Sequence, residues 1–182
     1  LEYRVVETKV TFGTGGQVVT ITPDTSNNTY SVDANNNFLD TPTLTVNEST
    51  STTTNRLKTT KLAVKKAWAN NPVADWEVWF VIQRQVAGEQ AWENVTVFRL
   101  CGSGNEATGE AFIGLPQCDA SGKPYTYQIR ELPPNTEGTY TLNTEGNIVD
   151  EDGKTVSVIE AGNIFSSGVG WEYTATYEGA NG

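Results

Sequence analysis

The stretch from Gly109 to Glu131 reads GEAFIGLPQCDASGKPYTYQIRE, and its second half decides the fold. Period-two alternation over 125–131 sets Tyr125, Tyr127, Ile129 and Glu131 on one side of a predicted strand, with Thr126, Gln128 and Arg130 on the other. A shorter predicted strand precedes it near Phe112, and the loop between them ends in a Gly-Lys-Pro turn at 122–124. The alternation aims Glu131 inward. An ionised carboxylate in apolar surroundings is costly, so Glu131 is expected to be paired, protonated or chemically employed.

Working outward, the same pattern opens the chain. In LEYRVVETKVTF, Tyr3, Val5 and Glu7 share a face just as Tyr127, Ile129 and Glu131 do, which implies an internal repeat of domain size. The turn clusters GTGG, PDTSNN and DANNN separate short strands such as QVVTIT and TLTV, with no helical periodicity between them. Residues 49–68 read as strand, link and strand. In the second of these, Leu62, Val64, Lys66 and Trp68 fall on one face, so Lys66 shares an apolar side. Residues 76–100 form a predicted hairpin in which Trp76, Val78, Phe80 and Ile82 oppose Trp79 and Val81; this strand is either covered on both sides or exposes an aromatic patch. A DEDGK hairpin and a last strand, GWEYTATYEG, follow Pro133 and Pro134.

Composition narrows the function classes. The 182 residues carry 12 basic and 22 acidic side chains, a net charge of −10, so no basic face is available for nucleic acid. Histidine and methionine are absent, which removes imidazole acid–base chemistry and the commonest transition-metal ligand. No apolar run is long enough for a membrane-spanning helix, and neither a leader nor a sorting tail is recognisable, so the chain reads as a mature or excised segment. Cys101 and Cys118 flank a Gly-rich segment. A disulfide between them suits an oxidising compartment, with two small buried thiols as the alternative.

The Gly109–Glu131 stretch resembles the signature of the B-type repeat domain of Gram-positive collagen adhesins and pilins, the CnaB family. The resemblance rests on Phe112, Leu115, Pro116, Asp119, Gly122, Lys123, Tyr127, Ile129 and Glu131 at their fixed offsets. It implies a spontaneous isopeptide bond between a Lys on a first strand and an Asn on a last strand, promoted by the Glu. Lys66, two residues before Trp68, matches the linking Lys, and TTTNRL resembles a closing strand with Asn55 as the amide donor belonging to Glu7. Asn181 is a further candidate partner for Lys66, although EGANG has no strand alternation. Parity alone reads Lys66 and Glu131 as a buried or half-buried ion pair.

The expectation is therefore an all-β chain of Ig-like or transthyretin-like β-sandwiches in two consecutive repeats. Residues 1–57 would be the C-terminal part of a preceding, incomplete domain and residues 58–182 a second domain lacking its closing strand. The implied function is a structural stalk or shaft of a cell-wall-anchored adhesin or pilus, extracellular, non-enzymatic and without cofactor or metal. Its partners would be neighbouring domains or subunits of the same surface protein. The alternative is an adhesin module binding host glycan or matrix protein through an exposed groove around Trp76, Trp79 and Trp92. Asp150 to Gly153 has part of a calcium-loop spacing but reads better as a hairpin turn. The sequons at Asn27, Asn47 and Asn94 read as chance in a Thr-rich chain.

Overall fold

The structure is a computed structural model that describes residues 5–11, 18–36, 38–46, 50–68, 75–109, 112–135, 138–166 and 172–178. Among these residues the chain is all-β, without helix. The strands in chain order begin β1 (Lys9–Thr11), β2 (Val18–Asp24), β3 (Thr29–Val32), β4 (Thr43–Val46), β5 (Ser51–Thr54) and β6 (Thr59–Leu62). Next come β7 (Lys65–Ala67), β8 (Asp75–Val86), β9 (Glu93–Ser103), β10 (Glu106–Thr108) and β11 (Phe112–Pro116). The last five are β12 (Tyr125–Glu131), β13 (Thr141–Leu142), β14 (Ile148–Val149), β15 (Ile164–Ser166) and β16 (Glu172–Thr174).

The chain divides into two compact units, Leu1–Lys61 with Ile113–Tyr125, and Leu62–Phe112 with Thr126–Gly182. This differs from a simple cut after residue 57, because the segment 113–125 returns to the first unit. The reason is local pairing. Strand β11 pairs with β6, the Gln117 N–H donates to the Lys58 carbonyl at 3.2 Å, and Gln117 Nε2 donates to the Thr59 carbonyl at 3.0 Å.

In the first unit β1, β2 and β3 form an antiparallel sheet, and β4 and β5 an antiparallel pair. Alternation along β2 buries Val19 and Ile21 while their neighbours face solvent. Val19 packs with Phe38 and Leu39, and Val10, Val32 and Cys118 close around them. Asn36 is buried at this core, with hydrogen bonds at both its oxygen and its nitrogen. Its Oδ1 accepts from the N–H groups of Phe38 and Leu39, and its Nδ2 donates to the Leu39 carbonyl.

In the second unit the central sheet has the order β12–β8–β9. Strands β8 and β9 run antiparallel from Asp75↔Ser103 to Arg84↔Glu93, with a bulge between Ile82 and Gln83. Strand β8 is covered on both faces. On one side Trp76, Val78 and Phe80 pack with Val64 and Leu100; on the other, Trp79 and Val81 pack with Leu132, Tyr140 and Ile148. A run such as WEVWFVI is what a doubly covered strand requires. Beyond the bulge the sheet is crossed by side-chain amides. Gln128 Nε2 donates to Gln83 Oε1, Gln83 Nε2 to Asn94 Oδ1, and Asn94 Nδ2 to the Gly146 carbonyl, all at 2.8–2.9 Å. This explains how Gln128 is buried at 8% exposure on the face opposite Glu131.

Three tight turns share one design. In DASGK, NTEGN and DEDGK the first residue, Asp119, Asn143 or Asp150, accepts through Oδ1 from the backbone N–H groups two and four residues on, at 2.8–3.1 Å. The fourth residue is glycine at positive φ: 86° at Gly122, 79° at Gly146 and 76° at Gly153. The Asp150 carboxylate therefore serves the backbone of a hairpin turn.

Two outcomes follow from this turn chemistry. Nothing lies within 4 Å of a Cβ built on Gly153, so Gly153→Ala should cost only the left-handed backbone term, about 1 kcal/mol, and Gly153→Asn clearly less; urea denaturation of both variants checks this. Desolvation pushes the Asp119 carboxyl up, but hydrogen bonds from the Ser121 hydroxyl and from backbone N–H groups, with the Lys123 charge, hold it below the usual carboxylate range. A lowered native pKa stabilises above the unfolded value and is lost as pH falls through the native one. Asp119→Asn, which keeps the acceptor oxygen, should flatten the acid limb of the stability profile below about pH 4.

Candidate functional site

Two glutamates on equivalent sequence patterns carry the candidate sites, one in each unit. In the second unit, alternation along β12 places Glu131 on the side of Ile129, which packs against the Val64–Trp76–Val78–Phe80–Leu100 cluster. Lys66 lies on β7 between Val64 and Trp68, both of which join the same cluster. The two side chains meet at its edge. Lys66 Nζ donates to Glu131 Oε2 at 2.7 Å, with side-chain exposures of 12% and 3%. The amine also sits over the Trp68 ring, 4.1 Å from its centre, and Trp68 is edge-on to Trp76 at 5.9 Å. Carboxylate and indole face together hold the amine with few degrees of freedom. The buried ion pair read from strand parity is what the 66/131 positions form.

The first unit presents the other chemistry. Asn55, immediately after β5, donates through Nδ2 to both Oε1 and Oε2 of Glu7, each at 3.0 Å, across 48 residues of sequence. Glu7 is half-buried and Asn55 exposed, so this site is more open than its counterpart. One glutamate thus holds an amine and the other holds a carboxamide nitrogen. The third candidate partner, Asn181, lies outside the described residues, as do Tyr3 and the last four positions of the chain.

Two tyrosines touch these glutamates without having been singled out in the sequence. The Glu131 N–H donates to Tyr177 Oη at 3.1 Å, and the Glu7 N–H donates to Tyr30 Oη at 3.4 Å. The only local sign was that Ala175 and Tyr177 share a parity near the end of the chain, and that Tyr30 sits in a good strand former, TYSV.

The expected Cys101–Cys118 disulfide is not formed: both residues are thiols. Cys101 is exposed on β9 in register with Glu77, 3.9 Å from its Oε2. Cys118 packs in the first unit against the Val19–Phe38–Leu39 cluster, and burial, with the nearby Asp119 charge, pushes its thiol up. A neutral, core-packed thiol is a poor nucleophile for disulfide exchange. The tryptophan groove also fails at two of its three positions. Trp76 and Trp79 are 8% and 9% exposed, and their indole N–H groups are spent on the Gly104 carbonyl and on Glu77.

Among the described residues no three His, Cys, Asp or Glu side chains gather as a metal site, and no helix is long and apolar enough to cross a membrane. No family model, curated protein or solved structure matches the chain.

Breaking the Lys66–Glu131 pair from one side leaves a charge in an apolar cluster. In the 182-residue chain Glu131→Ala and Lys66→Met are each expected to lose about 3 kcal/mol, whereas the double variant Lys66→Met/Glu131→Leu should recover most of it. Chemical denaturation of the three variants reads the coupling directly.

Proposed function

We propose that the chain is a structural stalk segment of a Gram-positive surface adhesin or pilus, built of CnaB-type β-sandwich repeats and strengthened by self-formed Lys–Asn isopeptide bonds. The single observation that carries this reading is the pair of glutamate contacts, one on a lysine amine and one on an asparagine carboxamide. They are contacts with the two kinds of nitrogen between which a glutamate would have to move protons during amide exchange.

The step is balanced as follows. The Lys66 ammonium passes a proton to Glu131 across their hydrogen bond, leaving a neutral amine and a neutral acid. The amine attacks the Cγ of an asparagine and a C–N bond forms; the carboxamide nitrogen takes up a proton from the glutamic acid and leaves as ammonia as its C–N bond breaks, and the attacking nitrogen returns its second proton to the glutamate carboxylate. No cofactor or second enzyme is needed. Fixed geometry supplies an effective molarity on the order of 10⁵ M or more, enough for one slow turnover.

The Glu7–Asn55 contact supports the second half of this sequence. There the carboxyl group lies against the nitrogen that would depart, which is where a general acid must stand. A stalk made this way transmits tension between a cell and a distal binding domain through covalent ties. Such ties limit extension even when packing is lost. The acidic surface, net charge −10, suits a secreted spacer that must stay soluble and unadhesive along its length.

The test is intact mass. In the full-length protein each closed bond should lower the mass by one ammonia. Glu131→Gln should abolish the loss at Lys66 and reduce stability by roughly 4 kcal/mol, the loop-closure scale for a tie spanning about a hundred residues. A folded full-length protein of unchanged sequence mass sinks the cross-linking mechanism.

A further inference from the structure

The proton relay uses the side chains of Glu7 and Glu131 and leaves their backbone N–H groups without a part. Glu131 ends β12, and its carbonyl accepts from the Ile159 N–H at 2.8 Å, as in one rung of an antiparallel pair. The return bond is not direct. The Glu131 N–H donates to Tyr177 Oη at 3.1 Å, and the Tyr177 hydroxyl donates onward to the Ile159 carbonyl at 2.6 Å. A phenol hydroxyl is thereby inserted into the rung, closing a circuit of three hydrogen bonds at the residue that carries the carboxylate. Arg130 Cζ lies 4.5 Å from the centre of the Tyr177 ring and fixes it from the adjacent position. Burial pushes the Tyr177 phenol up, so it keeps the proton that it donates to Ile159.

The first unit contains an independent instance. The Glu7 N–H donates to Tyr30 Oη, and that hydroxyl is also 3.2 Å from Thr53 Oγ1, two residues before Asn55. Tyr30 lies 23 residues after its glutamate and Tyr177 lies 46 residues after its own. The two tyrosines therefore come from different places in their units and reach the same backbone atom of the corresponding residue. What the two contacts share is the glutamate whose backbone N–H each hydroxyl accepts from.

We propose that Tyr177 and Tyr30 are positioning residues for bond formation, a role that rests on the cross-linking reading above. Each hydroxyl anchors the glutamate backbone, so that the carboxyl group stays aligned on the lysine amine or the departing carboxamide nitrogen. Anchoring matters because an offset of about 1 Å in such a group can cost on the order of a hundredfold in rate.

Tyr177→Phe removes the hydroxyl and keeps the ring against Arg130. In the full-length protein, refolded and followed by intact mass, it should slow ammonia loss by at least about tenfold while reaching the same final mass. In a Glu131→Ala background, where no bond can form at that site, the same substitution should shift the melting temperature little. Wild-type kinetics in Tyr177→Phe, with a lower melting temperature in the Glu131→Ala background, would mean a merely structural tyrosine and overturn the proposal. Tyr30→Phe is the parallel test at Asn55 and decides the matter if Tyr177→Phe does not fold. A wild-type protein that never loses ammonia overturns the cross-linking reading instead. The role in bond formation falls with it, and only the anchoring of the carboxylate on the amine is then read, in the 182-residue chain, by NMR hydrogen exchange of the Lys66 ammonium protons. Several-fold faster exchange in Tyr177→Phe upholds it, and equal exchange overturns it.

Discussion

The charge pair between Lys66 and Glu131 is the constraint on which the second unit turns. Two groups that water would solvate are held instead at the edge of a cluster of valine, phenylalanine and tryptophan, and their mutual contact only partly offsets the lost hydration. Such a pair persists when the surrounding strands over-determine it. Strand β12 fixes Glu131 through its place beside β8, β7 fixes Lys66 between two core residues, and Trp68 covers the amine. A hydrophobic pair would serve packing as well or better.

Much of this was legible in the residues. Parity over 125–131 gave Glu131 its direction, parity over 62–68 gave Lys66 the same side, and the mixed pattern of WEVWFVI identified a strand with two apolar faces. These readings succeed because side-chain direction in a strand depends on neighbours one and two residues away. The return of 113–125 to the first unit was not legible, since it depends on β6 meeting β11 more than fifty residues later. Nor were the tyrosine contacts, made by Tyr30 on β3 and by Tyr177 beyond β16, each remote in sequence from its glutamate. The cysteine pairing failed for a related reason: two cysteines separated by a glycine-rich segment say nothing about whether one of them is needed in a core.

The turn residues give a different lesson. Asp119, Gly122 and Lys123 belong to the set of positions that makes the Gly109–Glu131 stretch resemble a family signature, yet the same turn is built at 143–147 and 150–154. Side-chain capping of two amides and a left-handed glycine suffice to explain an Asx-x-x-Gly spacing wherever a hairpin must close tightly. The discriminating part of the resemblance is accordingly the buried glutamate with its lysine, a combination that turn formation does not call for.

Strand β8 also gives the second unit an internal clock. With apolar clusters on both faces and hydrogen-bonded neighbours along both edges, its amides can exchange with solvent only when the sheet as a whole opens, whereas the short β15–β16 hairpin can open by itself. Deuterium would therefore enter β15 and β16 early and reach residues 78–82 last. The site at Lys66 and Glu131 lies between these two extremes, joined to the slow strand through β12 and to the fast end through Tyr177.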